Sequence, residues 1–334
     1  MKKLLSALLV SVIALSLLAG CSNGNSEQPA AGLDEEYTLV LANGNPPGDV
    51  KDLAAIKFAE LCEEKSNGKI KVEVYSGGTL GDWHDTIEGL AHDMNDIVLE
   101  SVGSCESWSR TAALESMPYT IRDLDHFLAV WNGEVGQEIL DIVGQEGNFK
   151  LLGPMYRGPR VVTSKKEIRS LEDFKGLKIR IPNGPVFHKF FSRIGTTPTP
   201  LALSETFTAL QQNTVEAQDN PVVESYNWGF YETCKYVIET NHMYGVDIFI
   251  FDRDKFNSFP EDVQAILEEA AAEAAAYRNQ LSIDLEEEYK QKWEDEGCEI
   301  IQIDTTVLRE VCEGFVEQEF PDLAPLVAKM EAAK

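Results

Sequence analysis

The chain has 334 residues, 43% hydrophobic and 25% charged, with 29 basic against 56 acidic side chains and a formal net charge of −27. That balance excludes nucleic acid as a partner, because a phosphate backbone needs a basic face. It also repels anionic ligands at long range, so an acid could be held only by cations acting locally inside a cleft.

Residues 1–20 read as a secretion signal. Lys2 and Lys3 open it, an apolar run from Leu4 to Leu18 follows, and Leu18-Ala19-Gly20-Cys21 closes it. The run is short for a membrane span and is followed by polar sequence. Cysteine directly after Leu-Ala-Gly resembles the bacterial lipobox, in which that cysteine takes the lipid anchor; the plain alternative is an ordinary signal with a cysteine nearby. Residues 21–34, rich in Ser, Asn, Gly and Pro, read as a flexible tether. Loss of Lys2 and Lys3 with the signal leaves 27 basic against 56 acidic residues.

About 300 residues remain, large for one core, so two lobes are expected. A strand over Tyr37–Ala42 is followed by a Gly/Pro loop and an amphipathic helix from Val50 to Lys65, whose apolar face holds Leu53, Ile56, Phe58 and Leu61. Asn67-Gly68 stops it, and Ile70, Val72 and Val74 alternate as the next strand. Strand, helix, strand at this spacing is a βαβ unit with a parallel sheet. A helix near Asp82–His92 and a short strand at Asp96–Leu99 come next. The middle of the chain gives strands over Phe149–Met155, Pro159–Thr163 and Gly176–Ile181, helices near Pro185–Ile194 and Glu205–Gln212, and a strand at Val215–Gln218. Tyr236–Asn241 and Asp247–Asp252 read as strands joining the lobes. Pro260-Glu261-Asp262 then opens an Ala/Glu-rich helix to about Glu296, with proline and acids in the first turn where they belong. Roughly 35 residues at 1.5 Å each give about 50 Å, longer than one lobe. Such a helix must cross both lobes or kink.

Signatures of catalysis are missing: no Gly-x-Ser-x-Gly, phosphate loop, His-Glu-x-x-His or dinucleotide fingerprint occurs, and the five histidines are scattered. Besides Cys21 there are Cys62, Cys105, Cys234, Cys298 and Cys312, widely spaced and without a metal-ligand pattern. Free buried thiols fit them, with room for one disulfide. No cofactor is implied.

The richest block runs from Gly158-Pro159-Arg160 through Lys178-Ile179-Arg180-Ile181-Pro182 and Ala209-Leu210-Gln211-Gln212 to Gln218-Asp219-Asn220-Pro221. An arginine near the end of a short apolar strand is a fixed, permanent charge whose planar fork matches a carboxylate. The landmarks Phe58-Ala59-Glu60, Leu80-Gly81-Asp82, Met117-Pro118-Tyr119, Leu171–Arg180, Pro198-Thr199-Pro200, Phe230-Tyr231-Glu232 and Asn241-His242 stand around it in order. Together, from Tyr37 to about Ile303, they resemble the solute-binding proteins of tripartite ATP-independent periplasmic (TRAP) transporters.

The resemblance implies an α/β, two-lobed, periplasmic-binding-protein-like fold of type II, with a long helix spanning both lobes. Lobe I would comprise residues 35–157 and 246–285, and lobe II residues 158–245 and 286–334. It implies a non-enzymatic, extracytoplasmic protein, held at the membrane through Cys21, that traps a small organic acid between its lobes and passes it to the membrane-embedded TRAP permease. Presentation of the ligand to a sensor kinase, and remotely a secreted enzyme, are the alternatives. Carried over by position, Arg180 is the carboxylate anchor, Arg160 a second contact, and Asn220 the residue that holds ligand and arginine in place. A structural ion pair is the competing reading for each arginine, and capping of the turn before Pro221 the one for Asn220. Asn183, three residues beyond Arg180, sits where a strand hands over to a helix, the usual ligand face of an open sheet. Asn43 and Asn45 occupy the matching loop after the first strand. Trp83 could stack on a ligand or pack in the core; Glu100 and Ser101 end a strand and could accept hydroxyl donors. Arg157 adds a third cation, for a more highly charged ligand or only as a rim residue. Two departures blur the ligand: Asn213-Thr214-Val215-Glu216-Ala217 replaces a Gly-x-x-Asp-Gly pattern, and Leu203 stands where some sugar-acid binders carry phenylalanine.

Overall fold

The computed structural model describes Leu33 and Glu35–Lys334; the expected signal, Cys21 and nearly all of the tether lie outside the described residues. β1 (Tyr37–Asn43) and β2 (Ile70–Tyr75) pair in parallel around α1 (Val50–Lys65), which gives the expected βαβ unit. Asp49 caps α1 by accepting from the Lys51 backbone N–H, one of the donors a helix start leaves unpaired. α2 (Trp83–Leu90), capped by Asp82, leads into β3 (Ile97–Ser101), which pairs in parallel with β1. Beyond the sequence reading are two helices, α3 (Leu124–Trp131) and α4 (Glu134–Gly147), which follow two 3-10 turns.

The two strands expected over Phe149–Met155 and Pro159–Thr163 are one, β4 (Phe149–Ser164). Its pairing shifts register between Leu152 and Met155 and again between Tyr156 and Pro159. Gly153 sits in the first irregularity with φ +64°, and a Cβ there would lie 2.5 Å from the Ala271 carbonyl. Only glycine lets the strand pass that close to a helix. β5 (Lys178–Ile181), α5 (Pro185–Arg193), β6 (Thr197–Pro200), α6 (Leu203–Gln211), β7 (Ala217–Pro221) and α7 (Val222–Asn227) build the second half. β8 (Tyr236–Ile238), β9 (Tyr244–Asp252), α8 (Arg253–Ser258), α9 (Glu261–Asp295) and β10 (Glu299–Ile301) follow, and α10 (Thr305–Val311), α11 (Phe315–Glu319) and α12 (Ala324–Ala332) close the chain.

The strand order is β2-β1-β3-β9-β4-β7-β5-β6, with β8 paired to β4 and to β10. β9 runs antiparallel to both β3 and β4, while β4 is antiparallel to β7. The link between halves is therefore β4 with β9; the role expected of Tyr236–Asn241 falls to β4, and β8 stays inside the second half. α9 crosses as the resemblance implied. Val263, Leu267, Ala270, Ala271 and Ala274 share a core with Phe58 and Phe249, whereas Trp293, near its other end, packs with Phe230 and Cys234. The C-terminal helices, grouped with the second lobe in the expected division, touch α5 through Arg193 Nε to the Val311 carbonyl (2.6 Å) and α4 through Lys329 to Glu138 (2.6 Å). All five described cysteines are free thiols, and among the described residues no helix is long and apolar enough to cross a membrane.

Candidate ligand-binding cleft

Arg180 lies between Ile179 and Ile181, both fully buried, so its backbone is pinned in a sheet core while its side chain has to find its own solvation. It is only 4% exposed, and its Nε donates to the Leu201 carbonyl at 3.0 Å. No described residue forms an ion pair with it, although neighbouring cations do pair. Burial pulls the Arg180 guanidinium down to about 10, with nearby Asp219 the first group opposing that shift. It remains a cation at neutral pH, desolvated and without a dedicated counter-ion, which is costly unless a partner arrives.

Arg160, on β4 opposite Pro221, is held differently. Its Nε donates to Asp219 Oδ2 at 2.7 Å, its Nη2 to the Asp219 carbonyl at 2.8 Å, and its guanidinium lies 5.1 Å above the Phe187 ring. Burial would raise the Asp219 carboxyl, but Arg160 and then His242, 3.4 Å away, push it well below the usual carboxylate range. Asn220 donates from Nδ2 to Gln218 Oε1 at 2.9 Å; Gln218 in turn donates to Thr163 and Ser225. That chain of amides fixes the residue the resemblance singled out.

Arg157 is the cation most fully neutralised. Its Nη2 reaches Glu224 Oε2 at 2.5 Å and its Nε reaches Asp247 Oδ1 at 3.5 Å. Burial alone would lower it, yet Glu224 and Asp247 lift it well above the ordinary arginine value. Asp247 also meets Lys51 Nζ at 3.3 Å and Arg278 Nη2 at 2.6 Å, and Lys51 meets Glu100 Oε1 at 3.0 Å. Glu115 accepts the backbone N–H groups of Gly103 (2.7 Å) and Val246 (2.9 Å). Asn45, on the β1–α1 loop, donates to Asp49 (2.9 Å) and to Glu224 (3.3 Å) on α7, and Asn227 on α7 donates to Asp49 (2.8 Å). Loops from both halves are thereby tied together at the back of one cavity.

That cavity has a volume of about 490 Å³, a usual size for a small-molecule site. Arg180, Arg160, Arg157, Asn220, Asn183, Trp83, Glu100 and Ser101 all border it. Asn183 is exposed on the rim, and Trp83 does both jobs open to it, packing on the core and facing the cavity. Asn43 is a correction. It is buried behind the wall, where its Oδ1 accepts from the Asn45 N–H at 3.0 Å, and it is Asn45 that reaches the cavity. The loop turns back on itself at Asn43 as an Asx-type bond, which removes that amide from ligand range. Arg157 is not the rim residue offered as its alternative: it is buried in the wall, with its charge paired to Glu224 and Asp247. Sequence reasoning missed Lys51, Glu224, Asp247 and Glu106. The first three look like ordinary surface-helix or strand residues until the fold converges them.

A cleft between two halves of the sheet, bordered by a guanidinium that no described acid answers and by several fixed polar groups, defines a two-lobed ligand-binding protein. Residues 41–318 match the model of bacterial extracellular solute-binding protein family 7. The solute-binding protein RD1_1052 of Roseobacter denitrificans is 31% identical over 275 residues, 82% of this chain and 84% of its own. Its crystal structure with bound L-galactonate superposes with a TM-score of 0.84 at 29% identity, covering 89% of this chain and 99% of the other. A Pseudomonas putida F1 TRAP binding protein with bound D-glucuronate gives 0.86 at 25% identity, covering 89% and 98%. The sialic acid-binding protein SiaP of Vibrio cholerae is 28% identical over 304 residues, 91% of this chain and 95% of its own. The chain belongs to family 7, the extracytoplasmic solute-binding proteins of TRAP transporters. Its relatives here are solute-binding proteins, not enzymes.

Proposed function

We propose that the cleft captures a small organic acid, with Arg180 anchoring the carboxylate in a bidentate pair and Arg160 and Asn220 fixing its orientation. Asn183, Trp83 and Glu100 read the remainder, and Arg157 holds the wall together without touching ligand. Binding closes the lobes, residues 35–157 with 246–285 against 158–245 with 286–334, because ligand contacts to both stabilise the closed form. The closed protein then delivers its cargo to a TRAP permease. The observation that carries this reading is the buried, unpaired guanidinium of Arg180. The acids bound by the relatives, L-galactonate and D-glucuronate, support the ligand class.

The test is a thermal-shift screen of organic acids followed by calorimetry. A ligand at 100 times its Kd adds about 2.7 kcal/mol of stability. At least one acid is expected to raise the melting temperature, and Arg180→Ala to abolish that rise; a rise that survives the substitution removes the anchor role. We further infer that residues 1–20 are removed on export, that Cys21 carries a lipid, and that residues 21–34 form the tether. Cys21→Ser is then expected to move the protein from the membrane fraction to the soluble one.

A further inference from the structure

Glu106 borders the same cavity as Arg180, and no described residue donates to its carboxyl or pairs with it. It belongs to the 3-10 turn Val102–Ser107 after β3, in the first expected lobe. Its Oε2 reaches to within 3.5 Å of where a side chain on Gly184 would begin, in the loop after β5 and so in the second lobe. The carboxyl is therefore wet when the lobes part and partly dried when they meet, which disfavours its charged form. Burial holds it up at about 7, with Arg110 the cation opposing that effect. Arg110 is itself engaged in an exposed pair, its Nη2 donating to Asp322 Oδ1 at 3.1 Å.

The other charges around the cavity are already committed. Lys51 pairs with Glu100 and Asp247, Arg157 with Glu224 and Asp247, and Arg160 with Asp219. Glu115 accepts two backbone N–H groups, from Gly103 and Val246. On α2 and at its start, Asp82 and Asp85 are exposed at the mouth, where water screens them, and His84 lies 4.0 Å from Glu88. Among the described residues that line the cavity and are not exposed, this leaves one unanswered cation, Arg180, and one unanswered acid, Glu106. A ligand carboxylate on Arg180 takes the cation, and an ionised Glu106 then becomes a second negative charge in the same closing space. Two like charges there raise the value of one of them. Pairing with Arg180 keeps the ligand ionised, so the proton goes to Glu106.

We propose that capture of the acid is coupled to uptake of one proton by Glu106, so that the cleft holds its ligand more tightly as the medium becomes more acidic; this step rests on the carboxylate reading above. The sign follows from linkage. Affinity is constant below the value Glu106 has in the open form and declines as pH rises from there toward the higher value it has in the closed, liganded form. Protonation of His84 would act in the same direction, and Glu106→Gln separates the two, since it keeps the shape of the side chain and cannot titrate. The protein, purified as its host processes it, is titrated calorimetrically with L-galactonate, D-glucuronate, D-galacturonate and D-erythronate, acids held by relatives, and with the best binder of the organic-acid screen. Runs in phosphate and in imidazole at about pH 6.5, buffers of different ionisation enthalpy, are expected to report uptake of about 0.5–1 proton per acid bound. Affinity is expected to fall roughly tenfold between about pH 5.5 and about pH 7.5. Glu106→Gln is expected to take up no proton and to keep the same affinity across that range. Heat that does not depend on the buffer, or an equal uptake in Glu106→Gln, overturns this inference while the carboxylate reading stands. If no acid of the panel or the screen binds, both fall together.

Discussion

Two arginines stand on neighbouring stretches of the same sheet half, face the same cavity and are equally buried, yet they are used in opposite ways. Arg160 is answered from within, by both the carboxylate and the carbonyl of Asp219. Among the described residues, Arg180 receives only the Leu201 carbonyl. Farther along β4, Arg157 repeats the Arg160 pattern with Glu224 and Asp247. A cation whose charge is spent inside the protein is scaffold; one left unanswered is a receptor for an anion. The distinction is energetic, because removing one member of a buried pair strands its partner, whereas removing an unanswered charge strands nothing.

The largest effect should come from breaking the self-neutralised side. Asp247→Ala would leave Lys51, Arg157 and Arg278 without their shared carboxylate and should cost about 3–5 kcal/mol, read from urea unfolding. A midpoint close to that of the parent protein would mean the cluster is not a scaffold. Next comes Arg180→Ala, for which the opposite pattern is expected. Affinity for the bound acid should fall more than tenfold, or at least about 1.4 kcal/mol, with an unliganded protein no less stable than the parent. Arg160→Ala should lose both affinity and stability, because Asp219 is stranded; if the two arginine variants behave alike, the contrast dissolves.

The smallest effect is in pH dependence, and it has two limbs of opposite sign. Asp219 has a folded value below its unfolded 3.8, so its stabilisation is complete above that value and is lost as pH falls through the folded one. Glu106 is the reverse. Its folded value of about 7 exceeds the unfolded 4.5, so the folded state keeps a proton that the unfolded state has released, and stability declines as pH rises between the two. Urea midpoints from about pH 3 to about pH 8 should therefore show a neutral limb, shared with the raised carboxyls of Asp49, Glu115 and Glu286, that Glu106→Gln makes shallower while the acid limb remains. A variant that leaves the neutral limb intact assigns it to another group.

Much of the fold was legible because it is written locally. The α1 helix begins and ends where Asp49 and the Asn67-Gly68 stop place it, and the 35-residue α9 runs within a residue or two of its Pro260 start and Gly297 stop. What eluded pattern reading depended on contacts distant in sequence. Phe149–Met155 and Pro159–Thr163 look like two strands because Gly158-Pro159 interrupts the run, but pairing with β9 on one side and β7 on the other carries the backbone through as one. Asn43 and Asn45 are indistinguishable as letters in a loop, and the Asx-type bond between them decides which one reaches the cavity. The helices over Leu124–Trp131 and Glu134–Gly147 lie outside the landmarks that guided the reading.

By itself the sequence determined the family, the alternation of strands and helices, and the presence of fixed cations near strand ends, since propensity, capping and residue order all act over a few positions. It could not say which cation is free. With 56 acidic residues to draw on, only the tertiary structure decided that Asp219, Glu224 and Asp247 answer Arg160, Arg157, Lys51 and Arg278 and that no acid among the described residues pairs with Arg180. Ion pairing is decided over a few ångströms, and those distances exist only once elements far apart in the chain have packed.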